Sequence, residues 1–326
     1  MSELFSDTNA NANLKAGNES SASLNLADPG VARGIAQRVL RDIDEYCVKT
    51  YDDGHRNHLG ASLIGHDCKR YLFYTFRWVY HAPTTGRQQR LFNRGHREED
   101  RYVEWLRGIG CEVWTHDTSQ PPKPDGTYPQ FRVSAVNGHF GGSLDAIIKL
   151  PPRYNYSKPL LGEFKTNGTG KGFNDLLTQG MAVAKPQHYS QTSTYGADPN
   201  YSFEWVLYFN ICKNDDNLHV ELTKLDWNLG AQMLRKAELI ITSQVPPPKL
   251  SLDSTYYKCR SCDYAQICHG DMQAEKNCRS CTYAVPIENG QWLCTLPAHA
   301  GYGPLPPHII REGCPAWNDI SRIEDA

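Results

Sequence analysis

Three residues near the middle of the sequence have the types and spacing for metal-assisted chemistry on a phosphodiester. They are Asp145 in GGSLDAIIKL (141–150), and Glu163 and Lys165 in LLGEFKT (160–166). Each stretch reads as a short strand, and side chains alternate faces along a strand. Glu163 and Lys165 therefore point one way, and Leu160 and Phe164 the other. A carboxylate pair holds a hard cation such as Mg²⁺ through oxygen, while a neighbouring lysine orients an attacking water or offsets phosphate charge. A solvated strand with an ordinary Glu/Lys pair satisfies the same pattern. The flanking apolar residues, Ala146, Ile147 and Ile148 on one side and Leu160, Leu161 and Phe164 on the other, favour the site. Buried strands that carry several charges usually carry them for a purpose.

The elements that would complete this pocket come from either side of it. A helix is expected over residues 90–107, where Phe92, His96, Glu99, Val103 and Leu106 recur at spacings of four and three and share one face. His96 is thus expected to point inward, as a ligand or as an ordinary core histidine. A second helix, opening at Pro186, puts His188, Gln191 and Tyr195 on one face. The loop NGTGKGF (167–173) carries Lys171 and lacks the full phosphate-loop pattern, so it reads first as a plain loop.

The rest of the chain bounds these readings. With 326 residues there is room for one main domain and an appendage. A formal charge of -2 leaves nucleic-acid binding to a local basic patch; residues 69–107, with nine Lys and Arg against four Asp and Glu, are locally basic, which a solvated face explains as readily as a DNA path. The absence of a long apolar run or leader suggests a soluble, cytoplasmic protein with no membrane partner. Residues 1–29, rich in Ser, Asn and Ala, read as a disordered tail. Helical spacing follows through Val31, Ile35, Val39, Leu40, Ile43, Tyr46 and Cys47. Strands are expected at 111–116 and 131–136, a hairpin at 203–212 and 218–225, and a helix capped by Asp226.

After Pro246 the composition changes. Cys259, Cys262, Cys268, Cys278, Cys281, Cys294 and Cys314 place seven cysteines in 56 residues, a metal-binding density for an unexported protein. Tetrahedral thiolate sites need four ligands, so seven cysteines leave one site a ligand short. A distant cysteine, or a histidine such as His308, must complete the count. Cys68 is the best-placed candidate because Lys69 and Arg70 follow it and stabilise anionic thiolates, whereas Cys47, Cys111 and Cys212 sit in ordinary helix or strand patterns. The set Cys278, Cys281, Cys294 and Cys314 reads as a zinc ribbon with one long loop. Zinc in both sites is the conservative alternative, since spacing does not separate zinc from iron–sulfur.

Taken together, these pieces resemble the RecB-like branch of the PD-(D/E)XK nuclease superfamily. The likeness is closest to its iron–sulfur members: the CRISPR-adaptation exonucleases, AddB-type nuclease domains and their phage relatives. Cys68 in IGHDCKRYLFY resembles the N-terminal cluster ligand, and His96 in RGHREED the metal-binding histidine. Asp145 in GGSLDA and Glu163 with Lys165 in GEFKT resemble the acid and lysine motifs, Gln191 and Tyr195 in QTSTY the Q-x3-Y motif, and Cys259, Cys262 and Cys268 the C-terminal cluster ligands. The pieces occur in the family's order over about residues 58–268; Leu144 stands where the family usually has proline.

The resemblance implies an α/β fold: a restriction-endonuclease-like core of about five mixed strands flanked by helices over 30–268, with a Cys-rich, metal-binding C-terminal module over 269–326. It implies a metal-dependent deoxyribonuclease, an exonuclease acting on DNA ends or single strands in recombination, repair or processing. His96, Asp145, Glu163 and the backbone carbonyl of Phe164 would hold Mg²⁺ or Mn²⁺. Lys165 would position water, and Gln191 and Tyr195 would hold the phosphate or the lysine. A 4Fe-4S cluster would sit on Cys68, Cys259, Cys262 and Cys268, with zinc as the candidate at the second cysteine set. Arg70 and Lys171 are the DNA-contact candidates. A catalytically silent DNA-end binder, or a protein-interaction module on the same fold, would keep the architecture and lose the chemistry.

Overall fold

A computed structural model describes residues 26–299 and 301–323, so most of the expected N-terminal tail lies outside the described residues. The first helix, α1 (Pro29–Tyr51), opens on Pro29 behind Asp28, whose carboxylate accepts the Gly30 N–H at 2.7 Å. Its periodicity holds, but of its apolar residues only Cys47 is buried; Val39, Leu40, Ile43 and Tyr46 are exposed. Then come β1 (Leu59–Gly60), α2 (Lys69–Phe76), α3 (Gly86–Gly108), β2 (Glu112–Trp114), β3 (Arg132–Ala135), β4 (Phe140–Ser143), β5 (Ala146–Lys149) and β6 (Leu160–Asn167). The helices α4 (Lys171–Gln179), α5 (Met181–Ala184) and α6 (Pro186–Gly196) lead to the hairpin β7 (Trp205–Cys212) and β8 (Leu218–Lys224), and α7 (Trp227–Thr242) follows. Asp226 caps α7, its carboxylate accepting from Asn228 and Leu229 N–H groups.

The fold is mixed α/β. One five-stranded sheet has the order β2-β5-β6-β7-β8, antiparallel except for the parallel pair β6 and β7, which α4 to α6 connect. A three-stranded sheet, β1-β4-β3, stands beside it. The stretch 141–150 is therefore not one strand. It breaks at Leu144 and Asp145, with β4 in the small sheet and β5 in the large one. Leu144 is fully buried and its N–H donates to the Phe131 carbonyl, which holds the chain to the small sheet just before it crosses.

Both faces of the large sheet are covered, as the alternation along β6 requires. Leu160 and Phe164 pack under α3 with Tyr102, Leu106, Ile148 and Phe209, whereas Leu161 faces α6, α7 and α2 with Val206, Tyr208, Ala237 and Phe73. The inward stripe of α3 is Glu98, Tyr102 and Leu106, rotated from the expected one, and Phe92 and His96 are exposed. Tyr102 sets this rotation. Its hydroxyl donates to the Lys165 carbonyl at 2.6 Å and its ring lies 5.0 Å from that of Phe164.

Beyond residue 268 the chain forms a small antiparallel hairpin, β9 (Ala284–Pro286) and β10 (Trp292–Cys294). Its apolar side chains build no separate core. Ala284, Trp292, Ile310 and Ile320 join the same buried cluster as Phe73, Phe76 and Trp78. Among the described residues no helix is long and apolar enough to cross a membrane.

Candidate active site and cysteine cavities

Where the chain crosses between sheets, Asp145 replaces a backbone partner. The last rung joining β5 to β6 is Ala146 with Gly162, and beyond it the Phe164 N–H is taken by the Asp145 carboxylate at 2.7 Å. Between Gly162 and Phe164, Glu163 is fully buried on the α6 side. The Lys165 ammonium lies between them. It pairs with Glu163, stands 3.7 Å from Asp145 Oδ2 and donates to the Phe164 carbonyl at 3.1 Å. Three oxygens from three adjacent positions thus face one positive charge.

The electrostatics follow from burial. Glu163 is pushed up to about 7 by desolvation and by the Asp145 charge, against the pull of Lys165. Neither of its oxygens accepts a hydrogen bond of good geometry, so the Lys165 ion pair is its main compensation. Burial opposes the charged form of Lys165, but the two carboxylates more than reverse this and hold its pKa above the ordinary lysine value. A third acid belongs to the group. Glu99 on α3 is also pushed up to about 7, by burial first and then by Asp145 and Glu163.

The helix α6 closes the other side. Gln191 and Tyr195 are buried one turn apart, and the Gln191 amide donates to the Tyr195 hydroxyl at 3.4 Å. Tyr195 fits only because residue 142 is glycine: a Cβ there would overlap the tyrosine hydroxyl. Burial, with the Glu163 charge, raises the Tyr195 pKa and keeps its proton on. One turn earlier His188 shares a hydrogen bond with the Tyr208 hydroxyl at 2.8 Å, which also accepts from Asn210 at 3.0 Å. Burial, with Lys165 and Lys185, lowers His188 to about 3, so this imidazole stays neutral.

The structure therefore brings together Asp145, Glu163, Lys165, Gln191 and Tyr195. His96 stands apart from that cluster: it is exposed, three residues before Glu99 on the same side of α3. Arg70 is turned inward, 5 % exposed, with its Nε donating to the Pro247 carbonyl, and so offers DNA no surface. Lys171 is exposed at the start of α4 and paired with Asp175 at 2.5 Å. The sequence reading missed Glu99, Tyr208 and Asn210 as neighbours of the site. Glu99 was already on the shared helical face, and Asn210 is a polar residue inside an apolar strand; both were available signals.

Among the described residues no three His, Cys, Asp or Glu side chains converge closely enough to hold a metal ion as they stand. At the strand site the point where the oxygens converge is held by the Lys165 ammonium. The donors still fit a hard divalent cation, because they are oxygens and because those of fully buried Glu163 lack hydrogen bonds.

The cysteines divide between two small cavities. Cys68, Cys259, Cys262 and Cys268 line one of about 30 Å³, and Cys278, Cys281, Cys294 and Cys314, with His299, line another of about 40 Å³. His308 is exposed and lines neither. Cys68 caps α2, its sulfur accepting the Tyr71 N–H at 3.4 Å, and Arg70 and Lys249 act on Cys268. Burial nevertheless pushes the Cys262 thiol up to about 11 and raises Cys268, so thiolates in this cavity would need a cation among them.

No family model matches the sequence, and no curated protein is similar to it at a significant level. Among solved structures, that of SSO0001 is 17% identical over 73% of this chain and 98% of its own, with a TM-score of 0.39. An alkaline exonuclease (LHK-Exo) from Laribacter hongkongensis is 15% identical over 60% of this chain and 90% of its own, TM-score 0.34. The same exonuclease in complex with dAMP aligns over 56% and 86%, TM-score 0.33. Likeness this distant does not carry an activity from one chain to another.

Proposed function

We propose that this protein is a metal-dependent deoxyribonuclease of the PD-(D/E)XK type, acting on DNA ends or single strands with Mg²⁺ or Mn²⁺. The observation that carries this reading is the convergence of Asp145, Glu163 and the Phe164 carbonyl on the Lys165 ammonium, beside buried Gln191 and Tyr195. A divalent cation on Asp145, Glu163 and the Phe164 carbonyl, with Glu99 as a further donor, would supply phosphate charge neutralisation and an acidified water. Lys165 is the group placed to orient that water and offset charge on the phosphate. Tyr195 keeps its proton and is a hydrogen-bond donor towards the lysine or the phosphate, with Gln191 fixing its hydroxyl. Positioning and charge neutralisation do most of the work in such a reaction.

The same reading assigns an iron–sulfur cluster to Cys68, Cys259, Cys262 and Cys268. Hydrolysis needs no electron, so the cluster has a structural role and ties the end of the chain to α2. The test is a purification under nitrogen with metal analysis, then end-labelled single- and double-stranded DNA with Mg²⁺ or Mn²⁺. Wild-type protein is expected to degrade DNA, and Glu163→Gln and Lys165→Ala to fold and fail. Digestion at wild-type rates by both variants would remove the assignment. Persistent DNA binding by wild-type protein, with no cleavage under any metal, would favour the silent end-binder.

A further inference from the structure

Two arginines are buried without carboxylate partners. Arg77 is 0 % and Arg279 1 % exposed, and neither is within ion-pair distance of an acid among the described residues. Their donors meet only backbone carbonyls. Arg77 donates to the carbonyls of Cys281 at 2.6 Å and Ala284 at 2.9 Å, and Arg279 donates to those of Asn57 and Phe76. The Nε of each has no partner. Arg279 is further packed by three rings, its guanidinium carbon 4.3 Å from the centre of Trp78 and 4.7 Å from those of Phe76 and Trp292. Isolated buried charge of this kind is costly unless an opposite charge lies close.

Arg77 reaches the cysteine set directly, through its bond to the Cys281 carbonyl. Cys281 lies in the cavity with Cys278, Cys294 and Cys314, and its sulfur accepts the Asn318 N–H at 3.4 Å. Four thiols share this one cavity, where four thiolates would repel one another unless a cation lay among them. β9 and β10 frame the set, with Cys294 opposite Ala284.

We infer that Cys278, Cys281, Cys294 and Cys314 form a structural zinc site whose net negative charge balances Arg77 and Arg279. Four thiolates around a divalent ion carry a formal charge of about -2, the opposite of two guanidiniums. Zinc binding therefore completes the ionic side of the core, and the arginines transmit it: Arg77 reaches from α2 to the Cys281 loop, and Arg279, beside Cys278, reaches back to α2 at Phe76. This inference stands apart from the nuclease reading and does not need it.

The test uses the full chain purified without chelators. Wild-type protein is expected to hold one zinc that Cys281→Ser and Cys294→Ser lose and Cys262→Ser keeps, and its cobalt-substituted form to give the thiolate charge-transfer bands of a tetrahedral site. For the arginines, zinc transfer to a chromogenic chelator is timed in Arg279→Met and in Ile240→Ala, a core variant in the same apolar cluster that removes no charge. Release is expected to quicken by roughly tenfold or more in Arg279→Met, the usual effect of losing a partner just outside a metal's ligands, and to stay near wild type in Ile240→Ala. Protein that holds no zinc and binds none when it is added overturns the site. Equal acceleration in both variants overturns the charge-balancing role of the arginines.

Discussion

Two clusters of buried charge in this molecule are unbalanced in opposite senses. Between β5, β6 and α3 the acids Asp145, Glu163 and Glu99 face one ammonium, that of Lys165. Between α2 and the C-terminal hairpin, Arg77 and Arg279 face backbone carbonyls and aromatic rings beside the cysteine set. The first region has too much negative charge for the cation it contains, and the second too much positive charge for its acids. The same physics, the cost of unpaired charge at low dielectric, thus points to a bound cation in one and to ionised thiolates in the other. The acid site sits on strands, where alternation fixes which way each group faces; the arginine site rests on loops and a short hairpin packed against the core cluster.

The comparison breaks most visibly on the acid side. Glu163→Gln keeps the shape of the side chain and removes its charge, so the sheet should survive while cleavage falls by roughly 100-fold or more, the scale of losing one preorganised electrostatic group. Steady-state digestion of end-labelled DNA, beside a thermal melt to confirm folding, measures both. A variant that melts like wild type and still cleaves would place the chemistry elsewhere.

A smaller effect is expected from Gly142→Ala. The added methyl must displace the Tyr195 hydroxyl, and overpacking at a filled position costs about 1–3 kcal/mol. Denaturant melts should register that loss, and cleavage should fall further than stability alone explains, because Tyr195 and Gln191 move together. An unchanged melt would mean that the small sheet yields freely at this point.

The acid excess also has a pH signature. Glu163 and Glu99 are both raised from 4.5 to about 7, so the folded state holds protons that the unfolded state has released between those values. Their contribution to stability is present below pH 4.5 and lost as pH rises through about 7. In metal-free protein the melting temperature should therefore decline from pH 5 to pH 8, and Mn²⁺ should restore more at pH 8 than at pH 6. Glu99→Gln should flatten part of the decline. A rise in stability over this window would put the carboxylates in a wetter setting.

Much of the strand site was legible because period-two alternation determines facing: Glu163 and Lys165 share a face, and Leu160 and Phe164 take the other. The hairpin 205–224 and the Asp226 cap were legible from turn and cap chemistry. Three features were not. The break at Asp145 depends on a tertiary bond, Leu144 to Phe131, that no local pattern encodes. The rotation of α3 is set by Tyr102 reaching the Lys165 carbonyl, which a face drawn through Phe92 and His96 overlooks. Arg77 and Arg279 carried no signal at all, since an arginine in a sequence reads as surface until its neighbours are known.

The smallest effect separates the two basic residues that the sequence placed on one list. Arg70 is buried and bonded to Pro247, so Arg70→Ala should cost stability and leave the salt dependence of DNA binding unchanged. Lys171 is exposed and held only by Asp175, an i,i+4 pair that contributes a few tenths of a kcal/mol. Lys171→Ala should melt like wild type. If the glycine-rich loop lies on the DNA path, the slope of log affinity against log salt should fall by about 1, the loss of one phosphate contact. Titrations of labelled DNA at several salt concentrations, with Ca²⁺ in place of a catalytic metal, read that slope. No change in slope would move the DNA path off α4.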